Sequence, residues 1–170
     1  LSFTPGTWVE SIQITKGAGS VVNGYESISG QINTELLKPL KDIPFFLNAY
    51  GSTDSRFELN THFTKKISDK WATSLFLHGN TRVAKNDMNH DHFLDNPLGK
   101  QVNVTNRWQY SNAETGWVSF FNLKFMKDEK QTGELDFDKK RDKLTTNFWG
   151  SEINTERLDF TSKIGYVFKD

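Results

Sequence analysis

The stretch Asp87-Met88-Asn89-His90-Asp91-His92-Phe93-Leu94-Asp95 gathers oxygen and nitrogen donors that could ligate a metal. Oxygen donors fall at alternate positions, on Asp87, Asn89 and Asp91, with Asp95 following. That is the opening rhythm of a calcium loop. The sixth position, however, is His92 where the loop needs glycine, and the twelfth is Leu98 where it needs a bidentate glutamate. A complete EF-hand is therefore not supported. Two readings remain: a partial cation loop on Asp87, Asn89, Asp91 and Asp95, with calcium as its natural ion, or a polar loop tip built from Asx turns. His90 and His92 lie two residues apart, on one side of an extended segment. They suit either a transition metal or solvent.

Other chemistry is thinly represented. Lys16-Gly17-Ala18-Gly19-Ser20 lacks the order of a phosphate-binding loop and precedes no helical pattern, so its glycines read as turn glycines. No Ser/His/Asp arrangement stands out, and acidic pairs are too scattered to nominate an acid and a base. We therefore expect no enzymatic activity. With no cysteine, the chain has neither disulfides, zinc-thiolate sites nor a thiol nucleophile. Lys and Arg total 21, Asp and Glu 21, so the 170-residue chain has no net charge. That balance argues against a basic nucleic-acid binder.

The elements that would carry these residues are strands. Up to about residue 40, short alternating segments are joined by glycine turns: Val9 to Ile14, then Gly30 to Leu36. Pro39 and Pro44 bracket a linker. Beyond it, six longer segments alternate apolar and polar residues: roughly 45–52, 56–66, 70–82, 100–111, 115–127 and 156–169. Period two with one polar face marks half-buried strands. Arg107, Lys124 and Lys163 fall on polar faces, as do His62 and His78. We expect them to meet charged partners, water or filler inside a lumen.

The connections alternate too. Those after the second and fourth segments are short; those after the third and fifth run about 83–99 and 128–155. Short turns at one end and long loops at the other suit an outer-membrane barrel. Trp71, Trp117, Phe63, Tyr110, Tyr166 and Phe168 would share the short-turn end on the apolar face, as interfacial aromatics do. A soluble β-sandwich with an aromatic core is the competing architecture. The opening Leu1 without an initiator Met, and a close directly after a strand-like stretch, lead us to expect a portion of a longer polypeptide.

The run from Val9 to Gly24, containing Ile12-Gln13-Ile14-Thr15-Lys16-Gly17 and Ser20 to Gly24, is followed by Gly30-Gln31-Ile32-Asn33. This ordered run closely resembles the end of the plug domain of TonB-dependent outer-membrane receptors. The remainder looks like the first strands of their barrel. The loop at Asp87–Asp95 followed by Pro97-Leu98-Gly99-Lys100-Gln101 resembles receptors of this family from Bacteroidetes-type bacteria. The resemblance implies an all-β fold: a partial transmembrane antiparallel β-barrel of about six strands, preceded by the C-terminal part of a plug domain. Residues 1–40 would be plug and 41–170 barrel. Gly17, Gly19, Gly24 and Gly30 would be structural plug turns.

The resemblance further implies residence in the bacterial outer membrane, with lipid and the TonB complex as partners. It implies energised uptake of a scarce ligand, for which a ferric siderophore or other metal chelate is the default. Oligosaccharide or peptide uptake is the alternative within the family. Outside it stand a soluble carbohydrate-binding sandwich, an outer-membrane hydrolase and a surface adhesin.

Overall fold

A computed structural model describes residues 3–18 and 29–168. Among these the protein is all-β, apart from one 3-10 turn at Gly6–Trp8. β1 (Val9–Lys16) and β2 (Gly30–Leu36) form an antiparallel pair. The other six strands are β3 (Phe45–Gly51), β4 (Arg56–Lys66), β5 (Trp71–Arg82), β6 (Leu98–Asn112), β7 (Trp117–Gly133) and β8 (Gly150–Tyr166). They make one antiparallel sheet in sequence order, each strand beside its chain neighbour. Among the described residues, no helix is long and apolar enough to cross a membrane, which does not bear on strands.

The six expected segments are all strands, but the last two are longer than the hydropathy pattern suggested. β7 continues to Gly133 and β8 begins at Gly150, so the connection at 128–155 shrinks to 134–149. The added residues, 128–133 on β7 and 150–155 on β8, are charged, polar or glycine apart from Ile153, so alternation is invisible to hydropathy there. The backbone register nonetheless runs unbroken from Trp117↔Tyr166 to Gly133↔Gly150. Glycine is needed at this last rung. Gly133 has φ +127°, and a Cβ on it would lie 2.4 Å from Gly150 Cα.

The sheet has two unlike faces. One is open and apolar: Phe45, Leu47, Phe57, Leu59, Phe63, Leu75, Val102, Leu123, Phe125, Leu158, Phe160 and Ile164 are all exposed. The other is covered and largely polar, with Asn60, His62, Ser74, His78, Asn103, Thr105 and Gln109 buried around Phe76 and Met126. Soluble sheets bury the apolar face and wet the polar one; this sheet does the reverse. Polar residues on the open face are internally satisfied. Asn106 donates to Thr73 Oγ1 and to Ser74 O, and accepts from Trp108 Nε1 at 2.6 Å.

The expected aromatic level is formed. Trp71 pairs with Tyr110 across β5 and β6, with ring centroids 4.9 Å apart. Trp117 pairs with Tyr166 across β7 and β8 at 5.1 Å, and Tyr166 meets Phe168 at 4.9 Å. Phe63 pairs with Phe45 at 5.2 Å. Short turns hold this end. In the turn between β6 and β7, Asn112 Oδ1 accepts from the backbone of Glu114, and Gly116 adopts φ +78° with no room for a Cβ beside Val167 O.

Candidate functional site

The covered face is where the chain concentrates interacting polar groups. The segment Phe3–Trp8 lies against it. Asn103 Nδ2 donates to Phe3 O at 2.6 Å, and Lys124 Nζ reaches the same oxygen at 3.5 Å. Trp8 is 2% exposed and packs on Phe76 (5.5 Å) and edge-on to His78 (6.5 Å). Between residues 3–6 and the strands lies a cavity of about 410 Å³, lined by Arg56, Glu58, His78, Asn80, Gln101 and Asp128 among others.

Alternation places these side chains together, because residues two apart on a strand share a face. Arg56 Nη2 donates to Glu58 Oε2 at 2.8 Å, and Asn60 Nδ2 donates to Glu58 Oε1 at 3.0 Å. His78 Nδ1 lies 2.6 Å from Asn60 Oδ1, which can only accept, so Nδ1 carries the proton. Nε2 then accepts from Asn80 Nδ2 at 2.9 Å with Gln101 Oε1, itself an acceptor, 3.1 Å away, and Asn80 also donates to Gln101 Oε1 at 2.9 Å. The result is a chain of donors and acceptors in fixed orientation. Amides hold the imidazole and an arginine clamps the carboxylate, an arrangement suited to binding a polar ligand.

A second cluster ties the linker to the same face. Asp42 Oδ2 lies 3.1 Å from His62 Nε2, close enough for an ion pair but not aligned as a hydrogen bond. The same oxygen accepts from Thr64 Oγ1 at 3.1 Å, and Thr64 in turn contacts Ser74 Oγ at 2.7 Å. His62 sits between Phe46 and Phe76, each 5.2 Å away. Nearby, Leu40 N donates to Gln109 Oε1 at 3.1 Å. Sequence reasoning placed His62 on a polar face but missed Asp42, which sits in the segment bracketed by Pro39 and Pro44. An acidic residue in the short segment between Pro39 and Pro44 was visible in the sequence, but its pairing with His62 was not.

The β1–β2 pair carries its own charges. Lys38 Nζ bridges Glu35 (3.0 Å) and Glu10 (3.1 Å). Lys38 therefore holds the Glu35 carboxyl below its ordinary value, while the two carboxylates raise Lys38. Of the expected turn glycines, Gly17 adopts φ +83° where β1 ends. Gly30 has a Cβ position 3.0 Å from Thr15 O, a close backbone approach across the pair. Gly19 and Gly24 lie outside the described residues. Arg107 stacks over the Phe120 ring at 4.9 Å.

In the Asp87–Asp95 loop the oxygen donors are used by the loop itself. Asp87 accepts from the backbone of Asp91 (3.1 Å) and His92 (2.9 Å), and Asp95 accepts from Met88 N (2.7 Å). Asp91 accepts from Phe93 N (2.8 Å) and Asn89 Nδ2 (2.9 Å), which lowers its pKa. His90 and His92 both take positive φ, 60° and 68°. Among the described residues no three His, Asp or Glu side chains converge as a metal cage. Asn89 and Asp91 each accept from the backbone N–H two residues on, as Asx turns do, while Asp87 and Asp95 reach amides four or more residues away.

This loop is braced by the next one. Phe93 pairs with Glu134 as an isolated bridge, Leu94 N donates to Gly133 O, and Leu135 N donates to His92 O, each at 2.9 Å. Phe93 also meets Trp149 at 6.1 Å. Within 134–149, Asp138 caps the backbone of Lys140 and Arg141, and Arg141 binds Asp142 at 2.8 Å. Both aspartates are held below the ordinary carboxylate value, Asp138 by those backbone amides and Asp142 by Arg141. A depressed folded pKa contributes stability that is present above the unfolded value, near 3.9, and is lost as pH falls through the folded pKa. We therefore predict that the protection of the Lys140 and Arg141 amides, measured as exchange relative to the intrinsic rate at each pH, is constant near neutral pH and falls below about pH 4, before that of the strand amides does. Loss of protection in step with the strands would refute it.

Comparison with known protein families, with curated proteins and with solved structures finds no match for this chain.

Proposed function

We propose that this chain forms part of a TonB-dependent outer-membrane receptor that takes up a scarce ligand, with a ferric siderophore or other metal chelate as the default cargo. In this reading β3–β8 belong to the barrel wall, residues 1–40 to the end of the plug, and the plug is moved by the TonB complex. The observation that carries it is the inverted sheet: an exposed apolar face with an aromatic level, backed by a polar face on which residues 3–8 and 40–42 lie. A bilayer solvates the first face, and a hydrated lumen the second.

The dimensions agree. On β6, Tyr110 at the aromatic level and Lys100 at the charged end are ten positions apart. A tilted strand needs about 9–11 residues to cross the hydrocarbon layer. The free edges of β3 and β8 call for further strands, since an unpaired edge is costly in lipid. Barrels of this plugged type have about 22 strands. The polar cavity beside His78 and Asn80 supplies directed hydrogen bonds along the path a ligand would take.

The test is fractionation of cells, with an antibody raised against the 134–149 loop. A band in the outer-membrane fraction, several times larger than 19.5 kDa, is expected. Growth of a disruption strain should then fail when iron is supplied only as a ferric siderophore. A band of the chain's own size in the soluble fraction would overturn the proposal and favour a sandwich-type binding module.

A further inference from the structure

Three polar atoms on the covered face, Trp8 Nε1, Thr105 Oγ1 and Asn122 Oδ1, have no hydrogen-bond partner among the described residues. All three residues line a second cavity, of about 260 Å³. Trp8 and Thr105 are each 2% exposed, so leaving their polar atoms unpaired is costly. Strand register builds the wall. Thr105 on β6 lies opposite Lys124 on β7, Lys124 opposite Asp159 on β8, and Asn122 opposite Thr161. Thr4, Trp8 and Leu36, at the end of β2, close the cavity.

The charged groups of this wall are already engaged. Arg157 Nη2 donates to Asp159 Oδ1 at 2.9 Å, and Lys124 Nζ reaches Phe3 O at 3.5 Å. Asn122 Nδ2 is also taken, donating to Thr161 Oγ1 at 2.9 Å. What remains unsatisfied is neutral and of both kinds. The indole N–H can only donate, Asn122 Oδ1 can only accept, and the Thr105 hydroxyl can do either. An anion would suit the indole but oppose the Asn122 oxygen; a cation would do the reverse. A hydroxyl group both donates and accepts, so it serves all three. Leu36 adds apolar surface, which a carbon skeleton covers better than water does. Cavities for drug-sized ligands run about 300–1,000 Å³, so this one suits a smaller solute. We propose that it binds a neutral polyol about the size of one sugar ring, with hydroxyls on Trp8, Thr105 and Asn122 and its carbon skeleton against Leu36. The site needs neither the membrane reading nor a chelate cargo.

The test follows the indole itself. The native polypeptide, labelled with nitrogen-15 at its tryptophan indoles and held in a phosphocholine detergent, is titrated with D-glucose and with myo-inositol. The Trp8 resonance is the one missing from Trp8→Phe. It should move saturably with at least one of the two polyols while the other indoles stay in place, and sodium sulfate should not move it. Thr105→Val should weaken binding roughly fivefold by removing one hydrogen bond, and Thr105→Ser should restore it. Asn122→Ala, at a half-buried position, should act in the same direction and stands in if Thr105→Val does not fold. No movement with either polyol would overturn the proposal and leave water as the occupant. Movement with sulfate alone would overturn it in favour of an anion site. Unchanged affinity in Thr105→Val and in Asn122→Ala, with the other indole resonances in place, would put the polyol elsewhere and overturn the assignment.

Discussion

Trp8→Ala should release residues 3–16 from the sheet while leaving the sheet intact. Trp8 is 2% exposed, yet no strand of the sheet contains it; its ring is spent on Phe76 and His78. Truncating a buried aromatic costs about 3–5 kcal/mol, and here that cost falls on docking. Hydrogen exchange in a membrane mimetic should show faster exchange in β1 and β2, with β6 to β8 unchanged. Trp8→Phe is the control. Trp8 Nε1 has no hydrogen-bond partner among the described residues, so losing it sacrifices packing area but no bond. Phe should therefore recover most of the docking. Unchanged exchange in Trp8→Ala would mean that the backbone contacts to Phe3 alone hold the segment.

Asp42→Ala should loosen the linker. It leaves His62, 2% exposed, facing two aromatic rings without its polar neighbour, and Thr64 Oγ1 without its acceptor. Leaving a buried polar group unsatisfied costs about 1–3 kcal/mol. The second substitution decides the cause. Replacing such a pair with apolar groups is often neutral, so Asp42→Ala with His62→Phe should regain much of the loss, giving a coupling above about 1 kcal/mol in a double-mutant cycle. Proteolytic cleavage between residues 37 and 44 is the direct readout: fast in Asp42→Ala, slow again in the double variant. If the double variant is cleaved as fast as the single, Asp42 acts through Ile43 N, which it also accepts from, and the pair is incidental.

The strands were legible because alternation is a local property. A residue and its second neighbour share a face whatever the rest of the chain does, so Phe57, Leu59 and Phe63 could be assigned to one side in advance. The aromatic level was legible for the same reason, once the short turns fixed the direction of each strand. Legibility stopped where charge replaced apolar side chains. The outer rungs of β7 and β8 are held by backbone pairing that hydropathy does not encode. It stopped also at contacts between distant segments: Asp42 with His62, Phe3 with Asn103, Phe93 with Glu134. The Asp87–Asp95 loop shows the converse. Its spacing signalled oxygen donors, and the structure shows those oxygens also accepting from backbone amides of the loop, contacts that the spacing did not specify.

The strictly sequential pairing of β3 to β8 also bears on how the protein is made. Each strand needs only the one before it, so the chain between partners is short and the entropy lost in closing each loop is small. Such a sheet can grow rung by rung behind a moving front, hairpin after hairpin. The bond from Asn103 to Phe3 spans 100 residues and cannot form until four of the six strands are in place. Residues 3–8 precede the sheet in the chain yet can dock only once β6 is in place, and any delay in the sheet leaves Trp8 as an exposed apolar handle in the meantime.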